Sequence, residues 1–302
     1  MQVSIIIVNY KNPPLIVQCV QSILRYEQTV EYEIIVVDND SHDDTEQQLR
    51  AIYPNLKWVQ MGYNSGFAKA NNAGFSVAEG KFIFYLNSDT IFIEPVFEQM
   101  IKEMNSDHSV GILGCQLLNK DRSLQLSYHN GDMFFRKLWW RNPFAIKMGY
   151  SRQNQFEMEQ CKENHSMEHT SRWICGAAMM MRQSDIVKYN LKWNEDFFMY
   201  WEDVELCYRI RKLGKKVYYT PSVAIVHLGG GGESNVPLER FNLMETSKLK
   251  CITKIHGGFY CKIYVWLLRC ELWLEYYLQR RKNTTINEIL KNEIKYYAIK
   301  KI

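Results

Sequence analysis

No CxxC pair occurs among the eight cysteines of this 302-residue chain, which are scattered along it. Several of the cysteines fall inside apolar runs, as reduced core thiols do, and a reducing cytosol is the expected compartment. No GxGxxG and no GxxxxGK[ST] is present, so neither the dinucleotide fingerprint nor the P-loop is available to hold phosphates. A strong charge imbalance is missing too. The net charge of +4 is too mild to imply nucleic acid by itself. No basic segment precedes Val3–Val8, which reads as a buried strand rather than a signal peptide. The length suits one large domain, or one domain with an appendage.

What is present is rhythm. Val3–Val8 and Glu33–Val37 are β-branched runs of the kind buried on both faces of a parallel sheet. Between them Pro13–Arg25 reads as a helix with Leu15, Val20, Ile23 and Leu24 inward. Ser41 with Asp44 resembles a capping box opening a helix that ends near Tyr53. Leu56–Gln60 follows as a strand, Gly66–Glu79 as a helix and Lys81–Leu86 as a strand. This alternation predicts a doubly wound α/β sheet with helices on both faces.

Past residue 115 the rhythm breaks. Residues 119–172 are polar and irregular apart from Phe134–Arg141, an aromatic and basic stretch with the composition of a membrane-interface segment. A long irregular stretch in a compact enzyme reads as a lid or binding loop. Regularity returns at Trp173–Met181, in a helix beginning at Trp201, and in Val217–Tyr219 and Val223–His227, before the flexible run Gly229–Gly232. The aromatic tail Phe259–Leu278 reads as helical. Lys262, Arg269, Glu271 and Glu275 interrupt it as a membrane span, and its polar residues do not gather on one arc. From residue 260 onward nine Lys or Arg face four Asp or Glu, a net of +5. That tail suits either anionic lipid or packing against the catalytic domain or a second copy.

In open α/β sheets ligands bind beyond the carboxyl ends of the strands. Here those ends carry Asn9-Tyr10, Asp38-Asn39-Asp40, Asn64-Ser65-Gly66 and Asn87-Ser88-Asp89. Each cluster alone is an ordinary turn; four in succession point to a joint site. Asp89 offers a hard oxygen ligand for magnesium or manganese, and His227 is a candidate second ligand. The helix after Trp201 opens with Glu202 and Asp203, where the helix dipole is expected to keep a carboxylate ionised and able to take a proton from a hydroxyl.

Five segments together carry a resemblance: Ser4–Tyr10, Val37–Asn39, Asn64–Ala68, Leu86–Thr90 and Trp201–Cys207. Their order and spacing over residues 3–230 look like family 2 glycosyltransferases, nearest the rhamnosyltransferase-like subset. The resemblance implies a GT-A fold, a nucleoside-diphosphate sugar donor, dTDP- or UDP-linked, and inversion at the anomeric carbon. It implies that Asn9, Tyr10, Asp38 and Asn39 meet the nucleotide, and that Asn64, Gly66, Asn87 and Asp89 line the donor pocket. By the same resemblance Asp89 and His227 hold Mn2+ or Mg2+ and Asp203 is the catalytic base, beside which Glu202 is expected to orient the acceptor or to pair with a basic residue. Trp173, Gly176, Ala177 and Trp201 then contact sugar or acceptor.

Two departures stand out: Asn87 and Asn39 occupy positions that are acidic in many relatives. The implied organisation is a catalytic domain over 1–235, with a nucleotide half (1–115) and an acceptor half (116–235), then a helical region over 236–302. The implied role is transfer of a sugar, rhamnose foremost, to a glycan or polyprenyl-linked acceptor in cell-surface polysaccharide synthesis. The expected place is the cytosol, peripheral to the inner face of the plasma membrane, with a homodimer as one arrangement. Two rivals remain. A nucleotidyltransferase calls for a glycine- and basic-rich loop after the first strand, and Lys11-Asn12-Pro13-Pro14 is not one. An inactive sugar- or nucleotide-binding partner of a glycan assembly complex is the other, against which Asp89, Glu202, Asp203 and His227 stand together.

Overall fold

The computed structural model describes residues 1–129, 165–229, 238–281 and 288–299. Phe134–Arg141, Cys161 and Gly230–Gly232 lie outside the described residues. The chain divides into two compact units, Met1–Asn130 with Asn164–Glu233, and Gly131–Glu163 with Ser234–Ile302.

The first unit is built on a ten-stranded sheet. Strands β1 (Val3–Asn9), β2 (Tyr32–Asp38), β3 (Lys57–Gln60) and β4 (Phe82–Asn87) form its parallel block in the order β3-β2-β1-β4. Ile5, Ile6, Ile7, Ile34, Ile35 and Val36 are fully buried, as the β-branched runs require of strands covered on both faces. Helices α1 (Pro13–Tyr26), α2 (Thr45–Ile52) and α3 (Phe67–Ser76) make the crossovers. Pro13 opens α1, where its missing N–H costs nothing. The face of α1 is set by Ile16, Cys19, Val20 and Ile23; Leu15 and Leu24 are only half-buried.

Ser41 is not a capping residue. Asp44 stands at the N-cap of α2 with no side-chain cap bond. The Ser41 hydroxyl instead accepts from the Lys11 N–H and the Asn9 amide, at 2.9 and 3.0 Å. The serine is drawn into the strand-end network, which is why the local capping pattern misleads.

Beyond β4 the sheet becomes mixed. The sequence reading named no element between residues 90 and 115. The structure has β5 (Thr90–Phe92), α4 (Phe97–Ser106) and the buried β6 (Val110–Leu118) there. Short pairings follow at β7 (Leu124–Gln125), β8 (Tyr128–His129) and β9 (His169–Ser171). Trp173–Met181 is not continuous: β10 (Trp173–Ile174) pairs with β8, and β11 (Ala178–Arg182) inserts antiparallel between β4 and β6. After α5 (Gln183–Tyr189) and α6 (Glu202–Lys212), residues 216–227 form the single strand β12 (Lys216–His227). A register shift between Thr220 and Ala224 separates the two runs expected as distinct.

The second unit contains α7 (Leu238–His256), α8 (Gly258–Arg281) and α9 (Glu288–Ile299). Cys261, Tyr264, Val265, Leu272 and Tyr297 are buried, and Glu245 accepts from Tyr297 and pairs with Lys248. No helix among the described residues is long and apolar enough to cross a membrane.

Candidate active site

Strands β1, β2 and β4 deliver Asn9, Asp38 and Asn87 to one edge, since Asn9 is in register with Asp38 and Val8 with Asn87. Asp38 accepts three hydrogen bonds. Oδ1 receives the Asn9 amide at 2.9 Å, and Oδ2 receives the Ser41 N–H at 3.0 Å and the Gln60 amide at 2.9 Å. Ser41 is also a partner through its side chain. Burial pushes the Asp38 carboxyl up, but the Ser41, Gln60 and Asn9 donors outweigh it and hold the group below the usual range. Asn9 Oδ1 is buried with no protein partner. Tyr10 is 43% exposed beside this network, with Lys11 Nζ 5.1 Å from its ring centre.

Asn39 extends the same edge. Its amide donates to Asn64 Oδ1 at 2.9 Å and to the Gly66 carbonyl at 3.3 Å, while its Oδ1 accepts from the Ser65 N–H and hydroxyl at 2.8 Å. A carboxylate could not make the two donations, so asparagine here is built in rather than a loss. Gly66 has φ +82°, and a Cβ on it would lie 2.3 Å from the Phe198 carbonyl. Only glycine lets this turn pass so close to the loop that precedes α6.

At the end of β4, Asp89 Oδ1 lies 3.3 Å from His227 Nε2, and Asn87 Nδ2 lies 3.4 Å from the same nitrogen. Gln125, which the sequence reading missed, settles how the imidazole is held. Its amide NH2 donates to Asn119 Oδ1 at 2.9 Å and to the His227 carbonyl at 3.1 Å. Its Oε1 therefore faces His227 Nδ1, at 2.7 Å, and the N–H sits on Nδ1. In the neutral imidazole Nε2 presents a lone pair to a carboxylate, an arrangement that calls for a proton or a cation between them.

Burial would raise Asp89, but the His227 hydrogen bond and charge, with a backbone N–H at Gly229, hold it below its ordinary value. A Cβ on Gly229 would meet Asp89 Oδ2 at 2.2 Å, so the glycine is what allows this approach. One carboxylate, one imidazole and one amide fit a divalent ion whose remaining ligands come from a diphosphate. Among the described residues no cluster of three or more His, Cys, Asp or Glu suits a metal unaided.

The second part of the site starts at α6. Tyr200 and Trp201 both have φ +70°, a conformation unusual for such residues, and Trp201 is the N-cap. Glu202 is buried and Asp203 half-buried. Gly176 N–H donates to Asp203 Oδ2 at 3.1 Å, and Val204 N–H to Oδ1 at 2.8 Å.

Burial, not the helix dipole expected to keep these carboxylates ionised, has the larger effect on both. Burial raises Glu202 well above the carboxylate range, and the Asp203 charge adds to it. Burial also raises Asp203, against the lowering effect of the Gly176 and Val204 donors. Desolvation is the larger influence here, and an end-of-helix dipole worth about 1 kcal/mol does not cancel it. Among the described residues no basic group pairs with Glu202, and its Oε2 has no partner.

The two sides adjoin. The Asn87 N–H donates to the Ala177 carbonyl at 2.9 Å, one residue from the Gly176 that holds Asp203. Between them the Cys175 thiol is pushed up to about 12 by burial, with Asp203, Asp89 and Glu202 all contributing. Trp173, two residues upstream, stacks on His129 with ring centres 5.8 Å apart. The structure thus gathers Asn9, Asp38, Asn39, Asn64 and Gly66 into one network, and brings Asn87, Asp89 and His227 beside Gly176, Ala177, Glu202 and Asp203. Ser41, Gln60 and Gln125 are the site residues that sequence reasoning did not find.

Comparison with known proteins bears on this geometry. Rhamnosyltransferase WbbL of Escherichia coli (strain K12) is 26% identical over 203 residues, 65% of this chain and 72% of that protein. The N-acetylglucosaminyl-diphospho-decaprenol L-rhamnosyltransferase of Mycobacterium tuberculosis is 23% identical over 269 residues, covering 83% of this chain and 84% of the relative. Among solved structures, Staphylococcus aureus TarS 1-349 superposes with a TM-score of 0.56 at 15% identity, over 97% of this chain and 77% of that one. GalNAc-T7 with UDP, GalNAc and Mn2+ gives 0.57 at 12% identity, over 83% and 50%. These likenesses confirm the GT-A architecture. Residues 4–184 match the family described as Glycosyl transferase family 2, from the first strand past β11, and the chain is a member of that family and a glycosyltransferase.

Proposed function

We propose that the chain is an inverting transferase that moves a sugar, rhamnose foremost, from a dTDP- or UDP-linked donor to a hydroxyl of a growing glycan on a polyprenyl-linked carrier. The setting is cell-surface polysaccharide synthesis on the cytosolic side of the membrane. The names of the M. tuberculosis and E. coli relatives support the sugar and the carrier, and TarS solved with UDP supports a nucleotide donor. In this reading residues 1–235 are catalytic, with the nucleotide half over 1–115, the acceptor half over 116–235, and a helical region over 236–302.

The observation that carries the proposal is the adjacency of Asp89 and His227 to Asp203 through Asn87, Ala177 and Gly176. A leaving group at the first pair and an acceptor at Asp203 would share one sugar. Asp203 takes the proton of the acceptor hydroxyl as its oxygen bonds to the anomeric carbon, while the bond to the diphosphate breaks on the opposite face. That single displacement inverts the anomeric centre.

The raised Asp203 makes a stronger base than an ordinary carboxylate, and the Gly176 N–H keeps Oδ2 aimed. Asp89 and His227 would hold Mn2+ or Mg2+, which when bound supplies positive charge against the diphosphate oxygens. Asn9, Tyr10, Asp38 and Asn39 receive base and ribose; Trp173 and Trp201 flank the sugar and acceptor.

The test is release of nucleoside diphosphate from a panel of nucleotide-sugars, with and without manganese, in wild type and Asp203→Asn. The variant should lose about 10²- to 10⁴-fold in rate while nucleotide affinity stays within about twofold. Undiminished activity removes Asp203 as the base, and no release from any donor removes transferase activity in favour of a binding partner.

A further inference from the structure

Helix α8 is apolar on two sides. Its inner side buries Cys261, Tyr264, Val265 and Leu272. A helix apolar all round belongs in a buried setting, yet here the outer side is open. Phe259 is 80% exposed, Trp266 63%, Tyr277 58% and Trp273 57%. Ile263, Cys270 and Leu274 continue the same stripe. Positions 259, 263, 266, 270, 273 and 277 follow the alternating four-and-three spacing of one helix face. Of the eight exposed residues between Phe259 and Tyr277 only Lys262 is charged. The sequence shows no clean polar arc because the inward arc is apolar as well, and so leaves the tail open between anionic lipid and packing.

The stripe extends for about 27 Å at 1.5 Å per residue. Its composition does not suit a helix–helix seam, where this spacing is filled by Leu, Ile and Val knobs. Phe, Trp and Tyr rings, with an apolar body and in Trp and Tyr a polar handle, suit the boundary between lipid and water.

The charges point the same way. Exposed Lys262 lies within the stripe, and exposed Lys254 one turn before the start of α8. Glu245 and Glu271 are turned inward and buried. Of the remaining acidic residues on α7 and α8, Glu239 lies at the far end of α7 and Glu275 is half-buried. The surface is thus apolar and aromatic with one lysine in it, and a second lysine is exposed in the last turn of the preceding helix.

We infer that the outer face of α8 is a docking surface for an anionic lipid bilayer, with the helix lying in the plane of the headgroups rather than crossing them. This goes beyond the sugar-transfer reading and stands without it.

Flotation of the full chain with vesicles containing phosphatidylglycerol, against vesicles of phosphatidylcholine alone, tests it. Wild type should float with the anionic vesicles and be released by salt. The double substitution Trp266→Ser/Trp273→Ser should lower partitioning at least about tenfold. Lys254→Glu/Lys262→Glu should lower it by about fivefold or more for each charge lost. Both should retain wild-type donor hydrolysis and thermal stability.

Absence of flotation by wild type overturns the inference, and so does flotation that neither variant weakens. A dimer in sedimentation equilibrium that the tryptophan pair abolishes, with no vesicle binding, would assign the face to a second copy instead.

Discussion

Asp38 and Asp203 are aspartates set along one site and tuned in opposite directions. At the end proposed to hold nucleotide, the nucleotide end, Asp38 is surrounded by donors from Asn9, Ser41 and Gln60, and stays below its ordinary range despite burial. At the end proposed to hold the acceptor, the acceptor end, Asp203 has two backbone donors and an acidic neighbour, and burial lifts it above its ordinary range. The number and kind of donors decide the sign, since both groups carry a desolvation cost. On the proposed reading, the carboxylate that holds a ligand is kept ionised, and the one that accepts a proton is kept hungry for it.

The pH dependence separates the two ends most strongly. As pH falls, kcat should drop by about tenfold per unit once the raised Asp203 begins to protonate. Over the same window the affinity for free nucleotide should stay flat, because Asp38, held low, is still ionised. The apparent constants belong to the Glu202–Asp203 pair and not to one residue. If rate and nucleotide affinity fall together, or if the limb sits at the ordinary carboxylate value, the contrast is wrong.

The two ends also differed in how far the sequence revealed them. The nucleotide end was legible because each apolar run stops at a polar residue: Ile5–Val8 at Asn9, Ile34–Val37 at Asp38, Phe82–Leu86 at Asn87. The partners of those residues were not. Ser41 carries a convincing capping pattern that tertiary bonds override, and Gln125 comes from a short pairing strand with no periodicity to read. At the acceptor end Asp203 was found by position. Its electrostatics were misjudged because much of the surrounding comes from β10 and the Gly176 turn, which meet α6 only in the folded chain. Likewise β6 was missed because its apolar run stands next to irregular chain, and no rule of alternation marks a strand that pairs with β11 and β12.

A smaller effect is expected from weakening the nucleotide end directly. Asp38→Asn keeps the shape but removes the charge that organises three donors, and hydrogen bonds to a charged group contribute about 1.5–3 kcal/mol. Donor KM should rise about tenfold or more while kcat changes little, as measured by initial rates at saturating acceptor. A variant that loses kcat with unchanged KM would move Asp38 out of the binding network and into the chemistry.

The smallest effect is the most specific to the acceptor end. Glu202 has a folded value raised well above its unfolded one, so the folded state keeps a proton that the unfolded state has released at neutral pH. Its contribution to stability is greatest below the unfolded value and is lost as pH rises toward the folded one. Glu202→Gln removes that titration and keeps the neutral shape. The variant should therefore melt several degrees higher than wild type at pH 7.5, at about 2–4 °C for each kcal/mol. The difference should close as pH approaches the ordinary carboxylate value, where both chains carry a neutral side chain in either state. Activity should persist, because the acid limb belongs to the first proton lost and Asp203 remains. A variant that melts lower at pH 7.5 would mean that Glu202 is ionised in the folded protein and paired, and that the acceptor end is tuned like the nucleotide end after all.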